Sequence, residues 1–397
     1  MSWEEISLGD AIHIKHGFAF KSQYFSENGK YVVLTPGNFY ERGGFRPRPG
    51  KDRFYQGDIP DGYVLSEGDV IVAMTEQGEG LLGSSAWIPK GDAYLHNQRL
   101  GLVDEIDGNL LDRKFLYHLF NTRPVRQKIY GSATGTKVRH TAPVRIYRVK
   151  VKVPPVSVQR RITGVIDGYD DLIENNQRRI QLLEESARLL YKEWFVHLRF
   201  PGHEHVKVTN GVPDGWSFQT LEKLASVVMG QSPKSEFYNE NGEGLPFHQG
   251  VTGFGLRYPE HKTFCTVTKR LAEPGDILFS IRAPVGRINI ANDKIVVGRG
   301  VAAIKSKLGQ QNFLHYALKS HFFKEDMIGG GAIFASVSKK ELFGVKLLQP
   351  EESVVRLFMD HVKPIDKQID ILTRANKELA RARDLLLPKL MSGELAA

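Results

Sequence analysis

The sequence predicts an α+β protein in which two related globular blocks alternate with two long helices. Apolar residues recur at alternating steps of three and four within residues 169–194 and again within residues 365–386. This spacing is typical of helices that pack along a narrow seam. Landmarks of the first block also return in the same order in a second block. We therefore expect the order block, helix, block, helix.

The two apolar stripes predict which side chains lie between the helices. In the first helix they are Ile173, Asn176, Ile180, Leu183, Ala187, Leu190 and Trp194, and in the second Ile365, Ile369, Leu372, Asn376, Leu379, Arg383 and Leu386. So narrow a stripe needs a partner helix to bury it. We expect the two helices to pair side by side and antiparallel. The alternative is that each stripe packs against its own globular block.

Helix breakers suggest where the long helices begin. Gly168 precedes the first stripe and Pro364 precedes the second. Because glycine and proline interrupt helices, we expect a short helix, a break, and then a long helix from about residue 169 or 364. A helix of about 29 residues would extend about 43 Å.

Matched landmarks define the repeat and its boundaries. They pair Trp3 with Trp216, Gly17 with Gly230, Lys21 with Lys234, Gly68-Asp69 with Gly275-Asp276, and Arg99 with Arg299. We expect a first block at residues 1–154, a helical region at 155–200, a linker at 201–213, a second block at 214–350 and a second helical region at 351–392. The linker contains Pro, Gly and polar residues, as domain boundaries commonly do.

Short β-branched runs predict strands inside the blocks. Examples are Tyr31–Leu34, Val70–Val72 and Ile288–Ile290, each bounded by turn-forming residues. One helix is expected at Leu111–Asn121, matched in the second block by Gln311–Phe323. Long polar loops join these elements, and such loops in a compact domain are often functional.

The bulk composition indicates a soluble cytoplasmic protein. The chain has 397 residues, 41% of them hydrophobic and 25% charged, which allows two or three domains. We find no apolar run of the roughly 18 residues that a membrane helix needs, and no signal-peptide pattern. Cys265 is the single cysteine, so an internal disulfide is excluded, in keeping with a reducing compartment.

The net charge of +9 is concentrated outside the helices. Residues 155–200 have a net charge of 0 and residues 351–392 of +1, so the other eight charges fall mainly on the blocks. Basic blocks joined by near-neutral helices are the distribution expected of a polyanion-binding protein.

No motif indicates a catalytic or metal site. The run from Gly131 to Lys137 resembles a phosphate-binding loop but lacks the required spacing before Gly-Lys-[Ser/Thr]. His203 and His205 could ligate a metal, but they lie in the linker without further assignable ligands, so a solvated linker is the favoured interpretation. The cluster of Tyr191, Trp194, Phe195 and Phe200 favours a hydrophobic junction over a base-stacking platform.

Several polar and basic residues are candidates for contacting DNA. Cations at alternate positions of one predicted strand would suit phosphates, and loop Arg and Gln side chains can make bidentate contacts to bases. For each candidate a surface or structural role is the alternative. The strand candidates are Arg148, Lys150 and Lys152; the others are Gln77, Gln98, Arg99, Lys137, Arg139 and His140 in the first block, and Arg282, Arg287, Arg299, Ser336, Ser338, Lys339 and Lys340 in the second.

Several sequence segments resemble a known family. The segments LYKEWFVHLRFPG from Leu190 and RDLLLPKLMSGEL from Arg383 resemble conserved regions of specificity (S) subunits of Type I restriction-modification systems. GDILFSIRAPVGRINIA from Gly275, GRGVAAI from Gly298 and GAIFASVSKKEL from Gly331 resemble the second target-recognition domain of that family. The resemblance covers essentially the whole chain, although the first block matches less closely by motif.

The resemblance implies a non-catalytic subunit that recognises double-stranded DNA. Each target-recognition domain would read one half of a bipartite site, and the helix pair would set the spacing between the halves. Two modification subunits, which bind S-adenosylmethionine and methylate adenine, would dock on the chain, together with restriction subunits; the chain itself would bind no cofactor. The rival hypotheses are a structural adaptor that binds DNA without sequence preference, and an enzyme with an unrecognised site.

Overall fold

The computed structural model describes residues 3–48, 50–76, 80–322 and 336–396, and the chain divides into two compact units. Unit 1 consists of Met1–Asn175 and Ala375–Ala397, and unit 2 of Asn176–Arg374. Each unit thus contains one globular block and a part of each long helix. The division between the units falls inside the two long helices, so it does not test the predicted domain boundaries. Those boundaries stay a prediction.

The helices of the described chain are mostly short, with two exceptions. They are α1 (Leu8–Ala11), α2 (Arg113–Asn121), α3 (Arg123–Gly131), α4 (Pro143–Tyr147), α5 (Val156–Tyr191), α6 (Leu221–Leu224), α7 (Gln311–Phe322), α8 (Lys339–Gly344) and α9 (Glu352–Ser392). A turn of π-helix, Lys192–Val196, continues from α5.

Unit 1 is built on short strands. They are β1 (Glu4–Ser7), β2 (Ile12–His16), β3 (Phe25–Ser26), β4 (Tyr31–Val33), β5 (Phe54–Tyr55), β6 (Val70–Ala73), β7 (Thr75–Glu76), β8 (Ser85–Trp87), β9 (Tyr94–Leu95), β10 (Leu100–Ile106), β11 (Arg139–His140) and β12 (Lys150–Val153). They form sheets of order β2-β10-β6-β8 and β3-β5-β4-β9, and the pairs β1-β12 and β7-β11.

Unit 2 repeats this arrangement. Its strands are β13 (Val208–Thr209), β14 (Val212–Pro213), β15 (Ser217–Thr220), β16 (Ala225–Met229), β17 (Tyr238–Asn239), β18 (Leu245–His248), β19 (Phe264–Cys265), β20 (Leu271–Ala272), β21 (Ile277–Ser280), β22 (Ile288–Ile290), β23 (Ile295–Val297), β24 (Val301–Ser306) and β25 (Lys346–Gln349). The sheet β16-β24-β21-β22 corresponds to β2-β10-β6-β8, and β15-β25 corresponds to β1-β12.

The second sheet of each block carries the same parallel pair. In unit 1, β4 runs parallel to β9, and in unit 2, β18 runs parallel to β23. The other strands of these sheets pair antiparallel, so the parallel pair marks the same point in both repeats. The predicted α+β fold with two repeated blocks is confirmed.

The short helices of the blocks agree closely with the prediction. Helix α2 begins at Arg113 rather than Leu111, because the side chain of Asp112 accepts hydrogen bonds from the Lys114 and Phe115 amides and caps the helix. Its counterpart α7 ends at Phe322; residue 323, the predicted end, lies outside the described residues.

The predicted breaks before the long helices are wrong. Helix α5 runs without interruption through Gly168, and α9 runs through Pro364. The early turns of α5 bury Val158, Ile162 and Ile166 in the core of unit 1. The early turns of α9 bury Val355, Phe358 and Val362 in the core of unit 2. This packing outweighs the local preference against helix, since a proline interrupts helical hydrogen bonding only near itself.

The two long helices pair antiparallel in unit 1. Asn376 on α9 donates from Nδ2 to the carbonyl of Ile173 on α5 at 3.3 Å. Arg383, two turns further along α9, contacts Asp170, which lies one turn earlier on α5, at 2.5 Å. The order of these contacts runs in opposite directions along the two helices, as the sequence predicted.

Unit 2 shows the same antiparallel pairing. Ile180 of α5 packs in one buried cluster with Ile369 and Leu372 of α9. Further along α5, Tyr191 packs edge-on against Phe358, with ring centroids 5.9 Å apart. Later residues of α5 therefore meet earlier residues of α9. The alternative that each stripe packs only against its own block is excluded within both units.

Each side chain proposed for the seam is buried or half-buried, whereas several apolar residues of the same helices are exposed. The aromatic cluster at the end of α5 is a hydrophobic junction, as predicted: Tyr191, Trp194, Phe195 and Phe200 are buried in the core of unit 2. Arg383 is the charged member of the seam, and its guanidinium is neutralised by Asp170 and Asp384.

Candidate nucleic-acid interface

A cleft of about 990 Å³ lies in the block of unit 1, and we call it the unit 1 cleft. Its walls come from residues that are far apart in the sequence. They are Phe20, Phe25, Val33, Thr35, Pro36, Gly37, Asn38, Arg48, Lys51, Asp52, Arg53, Thr75, Leu81, Asn97, Gln98, Arg99, Val138 and His140.

The parallel pair β4-β9 brings two of these walls together. Val33 of β4 lies opposite Leu95 of β9, so the segments that follow the two strands leave the sheet at the same end. One segment begins at Thr35 and the other at Asn97. Gly17 supports the second segment, because a Cβ at this position would lie 1.9 Å from the carbonyl oxygen of Asn97. Only glycine permits so close an approach of two backbones.

Four cations line the cleft. Arg48, Lys51, Arg53 and Arg99 form no ion pair or side-chain hydrogen bond with any part of the chain that the structure describes. Asp52 is the acidic residue among the lining positions. Unpaired cations on a concave surface concentrate positive potential and attract phosphate groups.

Neutral polar groups lie between these cations. Gln98 is exposed at the cleft and its amide offers both a donor and an acceptor. Thr75 and His140 meet across the short pair β7-β11, with Oγ1 and Nδ1 3.2 Å apart. An amide beside guanidinium groups is the combination that reads adenine and guanine edges in the major groove.

His96 immediately precedes the lining residue Asn97 in the chain. It is fully buried, and its Nε2 lies 3.0 Å from the Leu100 carbonyl oxygen. Burial lowers the pKa of His96 from 6.5 to about 4, because the charged imidazole would lose its hydration. The ring is therefore neutral at neutral pH and adds no charge to the cleft.

Three of the predicted DNA-contacting residues line the cleft: Gln98, Arg99 and His140. Arg139 and Lys137 lie beside it in the chain. The guanidinium of Arg139 stacks over the Tyr130 ring at 4.1 Å, and Lys137 is exposed. Gln77 lies outside the described residues.

The basic strand does not form part of the cleft. Val151 and Val153 are buried and Lys150 and Lys152 are exposed, as the alternation predicts, but β12 pairs with β1 rather than with a strand of the cleft. Lys150 lies 3.8 Å from the Glu5 carboxylate. Arg148 is not in the strand, contrary to the prediction, because helix α4 ends there and leaves Arg148 as its cap.

In unit 2 the structure brings together Arg282 and Ser336, which form a bridge equivalent to that between Thr75 and His140. Arg299 is exposed, and its amide donates to Ser232 Oγ at 3.2 Å. Arg287 is also exposed, and its amide donates to Ser280 Oγ at 2.8 Å. These residues occupy the end of the second block that corresponds to the unit 1 cleft.

Three predicted residues of unit 2 follow Ser336 closely. Ser338 caps α8, since its Oγ accepts from the Glu341 amide. Lys339 lies over the Phe343 ring at 5.1 Å, while Lys340 is exposed. Ser338 therefore has a structural role, and Lys340 has the freer side chain.

Sequence reasoning missed the cations Arg48, Lys51 and Arg53. They lie 45 to 50 residues before Gln98 in the sequence, and the parallel strand pair brings them to the same cleft. A signal was present, because the segment from Arg46 to Arg53 places four basic residues within eight.

Other kinds of site find no support in the described residues. No group of three or more His, Cys, Asp or Glu side chains there could hold a metal ion, and His203 instead contacts Glu204 at 3.3 Å. The helices that the structure describes include none with the length and hydrophobicity to cross a bilayer.

Comparison with known proteins gives a consistent result. The sequence model of the family described as Type I restriction modification DNA specificity domain matches residues 1–185. The putative type I restriction enzyme MjaX specificity subunit of Methanocaldococcus jannaschii is 29% identical over 341 residues, covering 84% of this chain and 80% of the relative. The EcoBI specificity subunit of Escherichia coli is 22% identical over 438 residues, covering 100% of this chain and 87% of the relative.

A solved structure shares the fold. The crystal structure of a Type-I restriction-modification system S subunit from M. genitalium superposes with a TM-score of 0.56 at 18% identity, covering 98% of this chain and 96% of that one.

Proposed function

We propose that this chain is a specificity subunit of a Type I restriction-modification system and that its two blocks each read one half of a bipartite DNA site. As such a subunit it is non-catalytic; DNA and the modification and restriction subunits of the system are its partners. We place its action in the cytoplasm, where the DNA and these subunits are found.

The main support for this proposal is the unit 1 cleft. It combines the cations Arg48, Lys51 and Arg53, which suit phosphates, with Gln98 and Arg99, which suit base edges. Phosphate contacts fix the position of a protein on DNA, and contacts to base edges provide the specificity. We assign Arg48, Lys51 and Arg53 to phosphates and Gln98 and Arg99 to bases.

The repeated fold supports a second reading surface in unit 2. Arg282 and Ser336 pair as Thr75 and His140 do in unit 1. Arg299 precedes the central strand β24, as Arg99 precedes β10. Two similar surfaces with different side chains would recognise two different short sequences. Such a protein binds a site in two parts with an unread spacer between them.

The paired helices would set the length of that spacer. Their antiparallel contacts in both units support a stiff connection. Two half-sites about one helical turn apart are separated by roughly 34–36 Å. Helix α5 has 36 residues and extends about 54 Å, which is long enough to cover that distance. The helix pair would therefore act as a ruler.

The outer surfaces of the helices would bind the modification subunits. In unit 2, Leu182 and Leu189 of α5 are 63% and 46% exposed and lie seven residues apart, on one face of the helix. The near-neutral charge of residues 155–200 is also better suited to protein than to DNA. Adenine methylation, with S-adenosylmethionine, would then take place in those subunits.

Exchanging the first block tests the proposal. Residues 1–154 would be replaced by the corresponding block of another specificity subunit, and methylated adenines would be mapped in DNA from cells that also carry the modification subunit. We expect one half of the methylated site to change and the other half to remain. A change in both halves, or in neither, would show that the blocks do not read half-sites independently.

A further inference from the structure

Two segments form parts of the lining of the unit 1 cleft, and we call them its first and second walls. The first wall comprises residues 35–48 and 50–53 and carries Thr35, Arg48 and Arg53. The second wall comprises residues 75–76 and 80–82 and carries Thr75 and Leu81. The spacing between these walls decides which groups a base pair in the cleft can reach.

Arg126, on α3 behind the cleft, bonds to both walls. Its Nη1 donates to the carbonyl of Glu41 in the first wall at 3.0 Å. Its Nε and Nη2 donate to the carbonyls of Leu82 and Gly80 in the second wall, at 2.8 and 2.5 Å. Arg126 forms no ion pair within the described part of the chain. Its hydrogen-bonding capacity is therefore directed to the backbone of the two walls.

Glu76 fixes the second wall from within. This carboxylate is buried, and its Oε2 accepts from the amides of Leu81 at 2.9 Å and Leu82 at 2.8 Å. Leu82 is thus fixed at both its amide and its carbonyl. A buried carboxyl group that accepts from two backbone amides holds the loop in one position.

Contacts near Arg126 reinforce the junction between the walls. The amide of Gly44 donates to Ser85 O at 2.9 Å, and Ser84 Oγ donates to Tyr40 O at 2.9 Å. A Cβ at Gly43 would lie 2.2 Å from the Asn121 side chain, so this approach of the first wall to α2 requires glycine.

We propose that Arg126 is a positioning residue for base recognition, because it fixes the two walls of the unit 1 cleft relative to each other. The inference rests on the proposed function of the cleft. A guanidinium suits this task because its donors spread in one plane and reach three carbonyl groups at once. A lysine has a single ammonium group and cannot span the same three acceptors.

The test compares Arg126→Ala and Arg126→Lys with Arg123→Ala in the full chain assembled with its modification subunits. Arg123 is an exposed cation on the same helix, so its removal changes the charge equally. Methylation rates are measured on duplexes with single base changes in either half-site. The half-site belonging to unit 1 is the one whose requirements change in Gln98→Ala.

We expect Arg126→Ala to lose discrimination against wrong bases in the unit 1 half-site by about tenfold or more, with discrimination in the other half-site unchanged. Arg126→Lys should lie between this variant and the wild type, and Arg123→Ala should discriminate as the wild type does. If Arg126→Ala slows methylation of every duplex by the same factor, Arg126 is only structural and the inference is wrong.

A second measurement covers the case in which Arg126→Ala does not fold. In Arg126→Lys, amide hydrogen exchange should quicken at Gly44 in the first wall region and at Leu82 in the second. Unchanged exchange at either amide overturns the inference. If the proposed function is wrong, Gln98→Ala will leave the base requirements of both half-sites as they are in the wild type. The hydrogen-exchange result would still show whether Arg126 holds the two walls together.

Discussion

Arg257 and Glu184 form a buried ion pair in unit 2, with Nη1 2.7 Å from Oε1 and only 3% and 9% of the two side chains exposed. The same guanidinium contacts Asp366 of α9 at 2.5 Å, and Lys319 contacts Glu184 at 3.1 Å. Arg257 belongs to the second block, whereas Glu184 lies on α5. Within unit 2, one buried arginine therefore links the second block to both long helices.

Removing this arginine should destabilise the chain strongly. Arg257→Met leaves Glu184 and Asp366 buried without their main partner, so we expect a loss of about 3–5 kcal/mol in the free energy of unfolding. Urea denaturation at neutral pH measures the change. In the control, Glu184→Leu, Arg257→Met and Asp366→Leu are combined, and most of the stability should return, because neither buried carboxylate nor the buried guanidinium remains. A loss below about 1 kcal/mol in the single variant would contradict the assignment.

His96 should make stability depend on pH. Its pKa in the folded chain is about 4, below the ordinary value of 6.5, so the unfolded chain binds a proton first as the pH falls. The stabilisation is complete above pH 6.5 and is lost progressively toward pH 4. Between pH 7 and pH 5 we expect His96 to account for a loss of about 2 kcal/mol. Urea denaturation at the two pH values should show a smaller loss in His96→Gln; an equal loss would refute the prediction.

The cations of the unit 1 cleft should dominate the salt dependence of DNA binding. Arg53→Ala removes one phosphate contact, so the slope of log K against log salt should fall by about 0.9, whatever the DNA sequence. Binding of the assembled complex to duplex DNA at several salt concentrations measures this slope. Lys152→Ala is the matched control, since Lys152 is an exposed cation outside the cleft. Equal slopes for the two variants would place the phosphate contacts elsewhere.

The exposed leucines of α5 should matter for assembly and not for folding. Leu182→Glu together with Leu189→Glu places two charges on an apolar surface, and we expect association with the modification subunit to weaken by about 2 kcal/mol or more. The neighbouring exposed position gives the control variant Gln181→Glu. Copurification and the thermal unfolding of the isolated chain are compared. Unimpaired association would exclude this face as the docking site.

Periodicity predicted the helix pair well, because it reports which side chains are buried. The spacing of Ile180, Ile369 and Leu372 depends only on helix geometry, and these residues do form one cluster. The breaks expected at Gly168 and Pro364 depended on local preference alone. They are absent because packing of residues such as Ile162 and Phe358 overrides that preference.

The cleft was predicted only in part, since local sequence does not show which distant segments meet. Gln98 and Arg99 were found because a loop with these side chains is distinctive by itself. Arg48 and Arg53 join them through the pairing of β4 with β9, which the sequence does not reveal. Lys152 illustrates the converse: alternation predicted its exposure but not its distance from the cleft.

Lengthening the helix pair tests the central claim most directly. Seven residues would be inserted in phase into each long helix, after Asn175 in α5 and after Arg374 in α9, and methylated adenines would be mapped in cells carrying the modification subunit. The insertion adds about 10 Å, the rise of about three base pairs. We expect both half-sites to keep their bases while the unread spacer between them grows. Methylation at the original site with its original spacing would contradict the account.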